Sequence, residues 1–404
     1  VEFRTIEPGE LDEFLLSVAH AFSESTPDDF DVLRDKQRLE ADRCFAAIDG
    51  GKIVGCTGVY SWLTTVPGGM GVPTSGVTTV GVLPTHRRRG ILRELMKRAL
   101  DQSAERGESL STLFASQGAI YHRFGFGLAT RGLEFDVVTQ GSGFGPWFER
   151  SGTVRLLSHD EALEPITQVY RAEALRRPGM IQLSDGDVAW LMTEPTKNEE
   201  KPFYAVRYDD DGKPDAFATY RGKHEWPQGL PQVELKVTQM IASTPEGAAN
   251  MWRFLLDVDL VHHVVTWTRP VDDPLQYLLQ EPRVMRAKLY DEMWARPIDV
   301  AAALEARTYG ADGHVIFQVH DAALPANDGT YELTAASGKG SCVKVDAEPD
   351  VVCPVNAVGA AYFGGTSWRS LAAAGMVTER TPGALAVADG MFTSYPAPWA
   401  SFTF

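Results

Sequence analysis

Residues 77 to 92 read Val77-Thr78-Thr79-Val80-Gly81-Val82-Leu83-Pro84-Thr85-His86-Arg87-Arg88-Arg89-Gly90-Ile91-Leu92. A β-branched run stops at a proline, three arginines collect in a turn, and a glycine opens an amphipathic stretch. Ile91, Leu92, Leu95, Met96, Ala99 and Leu100 fall on one stripe of the helix that this spacing predicts. A helix N-terminus presents free backbone N–H groups and the positive end of a dipole, which suits a phosphate. Gly90 removes a Cβ that would hold an anion off the backbone, and adjacent guanidinium groups can bind phosphate oxygens. Neither GxGxxG nor GxxxxGK[ST] occurs, so a Rossmann or P-loop reading fails. The competing reading is a solvated basic turn, but a chain of net charge −16 gives little general reason to gather arginines there.

Further on, Ile120-Tyr121-His122-Arg123-Phe124-Gly125-Phe126-Gly127 sets a tyrosine before a glycine turn. A phenol can deliver a proton as a general acid, or it can pack as a half-buried aromatic. Taken alone, Tyr121 leaves both open. Other polar groups read as bland. His262-His263 has no third ligand at a metal spacing, and Asp209-Asp210-Asp211-Gly212 lacks the rest of a calcium loop, so no metal is expected. Cys44, Cys56, Cys342 and Cys353 are widely spaced with no CxxC, as reduced packing thiols would be. Asp28, Asp29 and Asp31 lie beside Phe22 and Phe30, a loop that fits either a polycationic amine or plain solvent.

The elements around these residues are mixed α/β. Leu11–Phe22 has helical spacing, and Cys44–Ile48 and Ile53–Tyr60 alternate as strands about an Asp49-Gly50-Gly51 turn. Val77–Val82 is a strand, Arg89–Arg106 a helix, and Leu110–Ala115 and Leu133–Val138 strands, with a glycine-rich linker at Gly141–Pro146. The next segment repeats the order: strands Phe203–Arg207, Ala216–Tyr220 and Val233–Ile241, helix Glu246–Leu256, strand Val264–Thr268. A third, Ala/Gly-rich α+β segment starts near Pro297, where Asp299 is set to cap a helix over Val300–Arg307.

At 404 residues the chain is long enough for two or three domains. Its 38 basic against 54 acidic residues argue against DNA, RNA or anionic membrane as partners and are compatible with a cationic small substrate. No apolar run is long enough for a membrane span. Val1–Thr5 has neither a basic start nor an apolar signal core, so the expected location is the cytoplasm.

The loop Arg87-Arg88-Arg89-Gly90-Ile91-Leu92 resembles the acetyl-CoA pyrophosphate loop of the GNAT superfamily of N-acetyltransferases, Gln/Arg-x-x-Gly-x-Gly/Ala, with Leu92 departing at the last position. Joined to Ile120-Tyr121-x-Arg123-Phe124-Gly125-Phe126-Gly127, it is similar to one subfamily, the enhanced intracellular survival acetyltransferases. The resemblance implies an α/β fold of two tandem GNAT-like domains followed by a sterol-carrier-protein-like α+β domain. The boundaries expected here are 1–140 for the catalytic GNAT domain, 141–290 for a degenerate one and 291–404 for the third. The second domain's loop, Ile241–Gly247, has no arginine and carries Glu246, so one cofactor site per chain is expected.

The resemblance further implies acetyl-CoA as co-substrate, held by Arg87, Arg88, Arg89, Gly90, Ile91, Leu92 and Arg93. The backbone of Val80, Gly81 and Val82 would pair with the pantetheine arm, and Ser116 and Gln117 would reach it from the other side. Tyr121 then becomes the acid that protonates the departing thiolate, while Phe126 stays structural. The base would be the terminal carboxylate of Phe404, delivered from the third domain and kept from fraying by Trp399 and Phe402. Thr403 stands where an acidic residue is frequent in the family. The expected activity is direct ternary-complex transfer to primary amines of cationic small molecules, aminoglycoside-like or polyamine, or to lysine side chains. A homo-oligomer, a hexamer by resemblance, goes with it. The alternative from another class is a catalytically idle CoA-sensing or lipid-binding protein.

Overall fold

The computed structural model describes residues 1–24, 38–192, 201–229 and 231–404. Contacts divide them into two units, residues 1–130 with 292–395 and Phe404, and residues 131–291 with 396–403. The acidic loop residues Asp28, Asp29, Phe30 and Asp31 lie outside the described residues.

In the first unit, β1 (Glu2–Thr5), α1 (Leu11–Ala21), β2 (Cys44–Asp49), β3 (Lys52–Thr65), β4 (Gly71–Val82), α2 (Ile91–Glu105), β5 (Leu110–Phe114), α3 (Gly118–Tyr121) and β6 (Gly127–Leu128) follow in sequence. The stripe predicted for α2 is buried except for Leu92, which is partly buried. Ile91, Leu95, Met96, Ala99 and Leu100 pack on Phe45, Val54, Val59 and Val77 of the sheet. Each large side chain so buried contributes about 1.5–3 kcal/mol, which fixes α2 and the loop before it on the strands. The sheet runs β1-β2-β3-β4-β5, then a strand from far down the chain, Met293–Pro297, and finally β6.

The second unit holds β7 (Arg131–Val138), β8 (Thr153–Leu157), α4 (His159–Ala174), α5 (Asp185–Leu191), β9 (Phe203–Tyr208), β10 (Pro214–Glu225), β11 (Gln232–Ala242), α6 (Pro245–Leu256), β12 (Val261–Pro270), α7 (Leu275–Leu278) and β13 (Met285–Asp291). Its sheet order is β13-β7-β12-β11-β10-β9-β8. β11 and β12 are parallel and joined through α6, as β4 and β5 are joined through α2. The strand expected to close the first segment, β7, instead pairs with β12 and β13 here.

The remaining elements belong to the first unit: β14 (Met293–Pro297), α8 (Val300–Ala306), β15 (Gly313–His320), β16 (Gly329–Ala336), β17 (Lys339–Lys344), β18 (Val351–Pro354), α9 (Val355–Ala361), α10 (Trp368–Ala373), β19 (Thr378–Glu379) and α11 (Ala384–Phe392). Asp299 caps α8 as expected, accepting from the Ala302 N–H at 3.0 Å. Strands β17-β16-β15-β18-β19 make a separate five-stranded sheet. No helix among the described residues is long and apolar enough to cross a membrane.

Residues 396–403 group with the second unit rather than with the third domain's sheet. There the Trp399 indole donates to the Thr268 hydroxyl at 2.9 Å, and its backbone N–H donates to the Pro178 carbonyl at 2.9 Å. The Phe402 ring meets Trp190 edge-on at 6.3 Å. Both aromatic side chains are buried.

Candidate active site

β4 and β5 are parallel neighbours only from Thr74↔Leu110 to Val77↔Leu113. Beyond Val77 the two strands part. A bulge accompanies the split: Thr79 takes a left-handed φ of 49°, and the β3–β4 register shifts between Cys56 and Gly58. Val80, Gly81 and Val82 keep β3 on one side and have no strand on the other. Their free peptide edge forms one wall of a cleft of about 700 Å³.

The loop after β4 closes one end of that cleft. Gly90, with φ of 83°, is the residue before α2, and a side chain at this φ would be strained. A Cβ there would meet nothing within 4 Å, so the space beside the helix N-terminus is open for a ligand. Arg88, Ile91, Leu92 and Arg93 line the cleft with Gly90. Arg88 and Arg93 form no ion pair among the described residues, leaving their charge available to phosphate.

The other two arginines of the loop have different surroundings. Arg87 touches the cleft, but its Nε donates to the Val82 carbonyl at 3.3 Å and its Nη2 to the Ala21 carbonyl at 3.1 Å. These two bonds tie the end of α1 to β4. Arg89 is exposed and stands outside the cleft wall. Lining that sequence reasoning missed comes from Ala21, Phe22, Ser23, His86 and Arg123. His86 and Arg123 lie within the stretches already singled out, so their basic character was a usable signal; the end of α1 carried none.

Across the cleft stand Ser116, Gln117 and Tyr121. Tyr121 ends α3 and is 5% exposed, with Phe126 edge-on at 6.3 Å. Burial pushes its phenol above the ordinary tyrosine pKa, and a hydrogen bond with Ser116 works against that rise. The group therefore holds its proton at neutral pH, as an acid must.

Phe404 does not line this cleft itself; its ring sits against Gly76 of β4 and Phe114 of β5, the two strands whose ends part to form it. That half-buried ring meets Phe114 at 5.1 Å, Trp62 at 5.9 Å and Tyr60 at 6.0 Å. The four cysteines are free and buried, each thiol pushed up to about 12, chiefly by burial. None is poised as a nucleophile. No metal-binding cluster of His, Cys, Asp or Glu occurs among the described residues. In the second unit, the loop before α6 has no arginine, and the carboxylate beside it, Asp215, is paired with buried Arg207. Thr244 caps α6, accepting from the Gly247 N–H at 2.9 Å and donating to buried Asp215 at 2.7 Å.

A bulged strand, a splayed parallel pair and a left-handed glycine opening a helix define a GNAT-fold acetyltransferase, a class whose donor is acetyl-CoA. An acetyltransferase (GNAT) domain family model matches residues 2–129, a second acetyltransferase (GNAT) domain model matches 182–297, and a sterol carrier protein domain model matches 300–401. The chain is 37% identical to an uncharacterized N-acetyltransferase from Streptomyces avermitilis over 89% of both chains. It is 30% identical to the N-acetyltransferase Eis of Mycobacterium tuberculosis, over 88% of this chain and 87% of that one. The crystal structure of Eis1 from Mycobacterium abscessus superposes with a TM-score of 0.87 at 30% identity, covering 100% of both chains. The chain belongs to the Eis family of N-acetyltransferases. The idle-sensor alternative gives way to an enzyme with an amine-type acceptor.

Proposed function

We propose that the cleft binds acetyl-CoA with its pyrophosphate at the N-terminus of α2, held by Arg88, Arg93 and the amides after Gly90. The pantetheine arm pairs with Val80, Gly81 and Val82 as an added strand does, and the thioester points to Tyr121. The observation that carries this reading is one cleft combining an unpaired strand edge, an open left-handed glycine and a buried, protonated tyrosine. Ser116 and Gln117 contact the arm from the opposite wall. Arg87 supports the loop, and Arg89 adds only long-range charge. The loop in the second domain, Ile241–Gly247, lacks arginines, which supports a single cofactor site per chain.

Transfer is direct. The amine nitrogen bonds to the thioester carbonyl carbon, the C–S bond breaks, and Tyr121 gives its proton to the departing sulfur. The proton lost by the nitrogen goes to the carboxylate of Phe404, directly or through one water. The acceptor is a primary amine of a cationic small molecule, aminoglycoside-like or polyamine, or a lysine side chain, as the net charge of −16 favours. Incubating the protein with acetyl-CoA and a panel of a polyamine, an aminoglycoside and a lysine peptide, then reading free thiol and product mass, tests this. Amine-dependent thiol release is expected; none with any amine overturns it. Light scattering on the same sample tests the homo-oligomer, a hexamer by resemblance.

A further inference from the structure

The short helix that carries Tyr121 ends in a turn that closes on itself through Gly125 N–H to His122 and Phe126 N–H to Tyr121, and that is braced from outside by residues beyond position 290. Arg296 on β14 is fully buried, and its Nη1 donates to the carbonyl of Phe124, three residues after Tyr121. Its Nη2 donates to Asp321, also buried, and its Nε to the Pro297 carbonyl at 3.2 Å. Asp321 is fixed in turn by the N–H groups of Ala323 and Leu324, both at 3.0 Å, and by the Asn327 amide at 3.1 Å. The turn leaves room for this guanidinium through Gly125, whose φ is 84°; a Cβ there would stand 2.8 Å from Arg296 Nη1. On the other flank, His122 lies edge-on to Trp294 at 4.9 Å, and its carbonyl accepts from Asn356 at 3.4 Å.

A buried ion pair of this kind contributes little net stability, because desolvation offsets most of the attraction. An apolar pair of similar volume would fill the space as well. What the pair does supply is direction: a planar fork, oriented by a carboxylate that is itself held by three other donors, points one N–H at one carbonyl. We propose that Arg296 and Asp321 form the positioning pair for Tyr121, setting the phenol's place in the cleft by fixing the turn at Phe124. The third domain then acts on catalysis through this pair. The proposal rests on Tyr121 being the general acid.

A misplacement of about 1 Å in such a group costs roughly 10²-fold in rate. Two variants test it. Arg296→Lys keeps the charge and loses the fork. Arg296→Met with Asp321→Asn removes both buried charges together, which limits the loss of stability, and drops the bond to Phe124. Each is compared with wild type and Tyr121→Phe on acetyl-CoA and on its selenoester analogue, whose selenolate is a much weaker base and departs without a proton. The expected result is a kcat about 10²-fold lower on acetyl-CoA with KM for the donor little changed, and a much smaller loss on the selenoester, matching the pattern of Tyr121→Phe. Adding Arg296→Lys to Tyr121→Phe should then cost nothing further. Wild-type turnover by either folded variant, or an equal loss on both donors while Tyr121→Phe stays donor-dependent, overturns the positioning role alone. If Tyr121→Phe shows no donor dependence, the acid reading fails and takes this proposal with it.

Discussion

The ring of Phe404 stands against Gly76 on β4, where a Cβ would come within 2.9 Å of its Cε2 and 2.4 Å of the Trp62 indole. Gly76 pairs with Tyr60 on one side and Thr112 on the other, so it sits in the middle of the aromatic group that receives Phe404. Gly76→Ala must shift the indole, the terminal ring or both. It should lower kcat about tenfold or more while leaving the KM for acetyl-CoA unchanged, since the donor cleft does not include residue 76. Wild-type kinetics would show that the seat of the ring is irrelevant to turnover.

The terminal carboxylate itself has a sharper test. Its reference pKa of about 3.3–3.7 makes it a weak base, so it can take the proton only as the nitrogen bonds to carbon and turns acidic. Deleting Phe404, or adding a few residues after it, should abolish most turnover and leave acetyl-CoA binding by calorimetry intact. A C-terminally tagged enzyme that matches the untagged one moves the base elsewhere.

Tyr121→Phe should lower kcat by roughly 10²–10⁴-fold. The pH dependence has a definite sign. Burial raises the phenol pKa, so the active protonated form persists to higher pH, and the alkaline limb from this group should lie above the ordinary value of about 10. Stability follows the same direction. The contribution from this group is whole below the unfolded value and is lost as pH climbs through the folded one. An alkaline limb well below 10 that vanishes in the Phe variant would contradict this assignment.

Arg88 and Arg89 are neighbours in sequence with different surroundings. Arg88→Glu places a negative charge in the cleft and should raise the KM for acetyl-CoA about tenfold or more, whereas Arg89→Glu should change it only a few fold. Raising the salt concentration should shrink the second effect first. Equal effects of the two reversals would mean that the cleft wall does not decide the contact.

Burial that lifts all four thiols to about 12 should keep them silent toward a disulfide reagent at pH 8. Thiol counting should give about zero for the native protein and four in denaturant, matching Cys44, Cys56, Cys342 and Cys353. A native count of one or more would reveal local opening around β2–β3 or β17–β18.

Much of the donor cleft was legible because its signals are local. A proline, an arginine run and a glycine mark the loop before α2, and the glycine turn after Tyr121 is read within a few residues. The third domain was harder: α9 and α11 are alanine- and glycine-rich and bury most of their surface, so neither shows a clear polar face. Long-range pairing left no trace at all. Met-Trp-Ala-Arg-Pro at 293–297 is a short apolar run that would suit any sheet, and nothing in Arg131–Val138 says that it partners β12 and not β5. Arg87 shows the limit of residue type as evidence: an arginine in this loop suits a phosphate, but nothing in the sequence foretells its bonds to the carbonyls of Val82 and Ala21.

Because β14 lies between β5 and β6, the last two strands of the first sheet cannot join it until residue 297 is in place. On the ribosome, the segment up to Thr130 therefore waits while Arg131–Asp291 is synthesised, a delay of roughly 10–30 s at about 5–20 residues per second. During that interval β5 offers an open edge of Leu110, Leu113 and Phe114 to any strand that comes near. The segment emerging next is itself rich in strands, so nascent chains of this protein are exposed to mispairing within one molecule, and trigger-type chaperones have a defined window in which to act. A gene fragment ending near residue 140 would be left permanently in that state, and should aggregate when expressed.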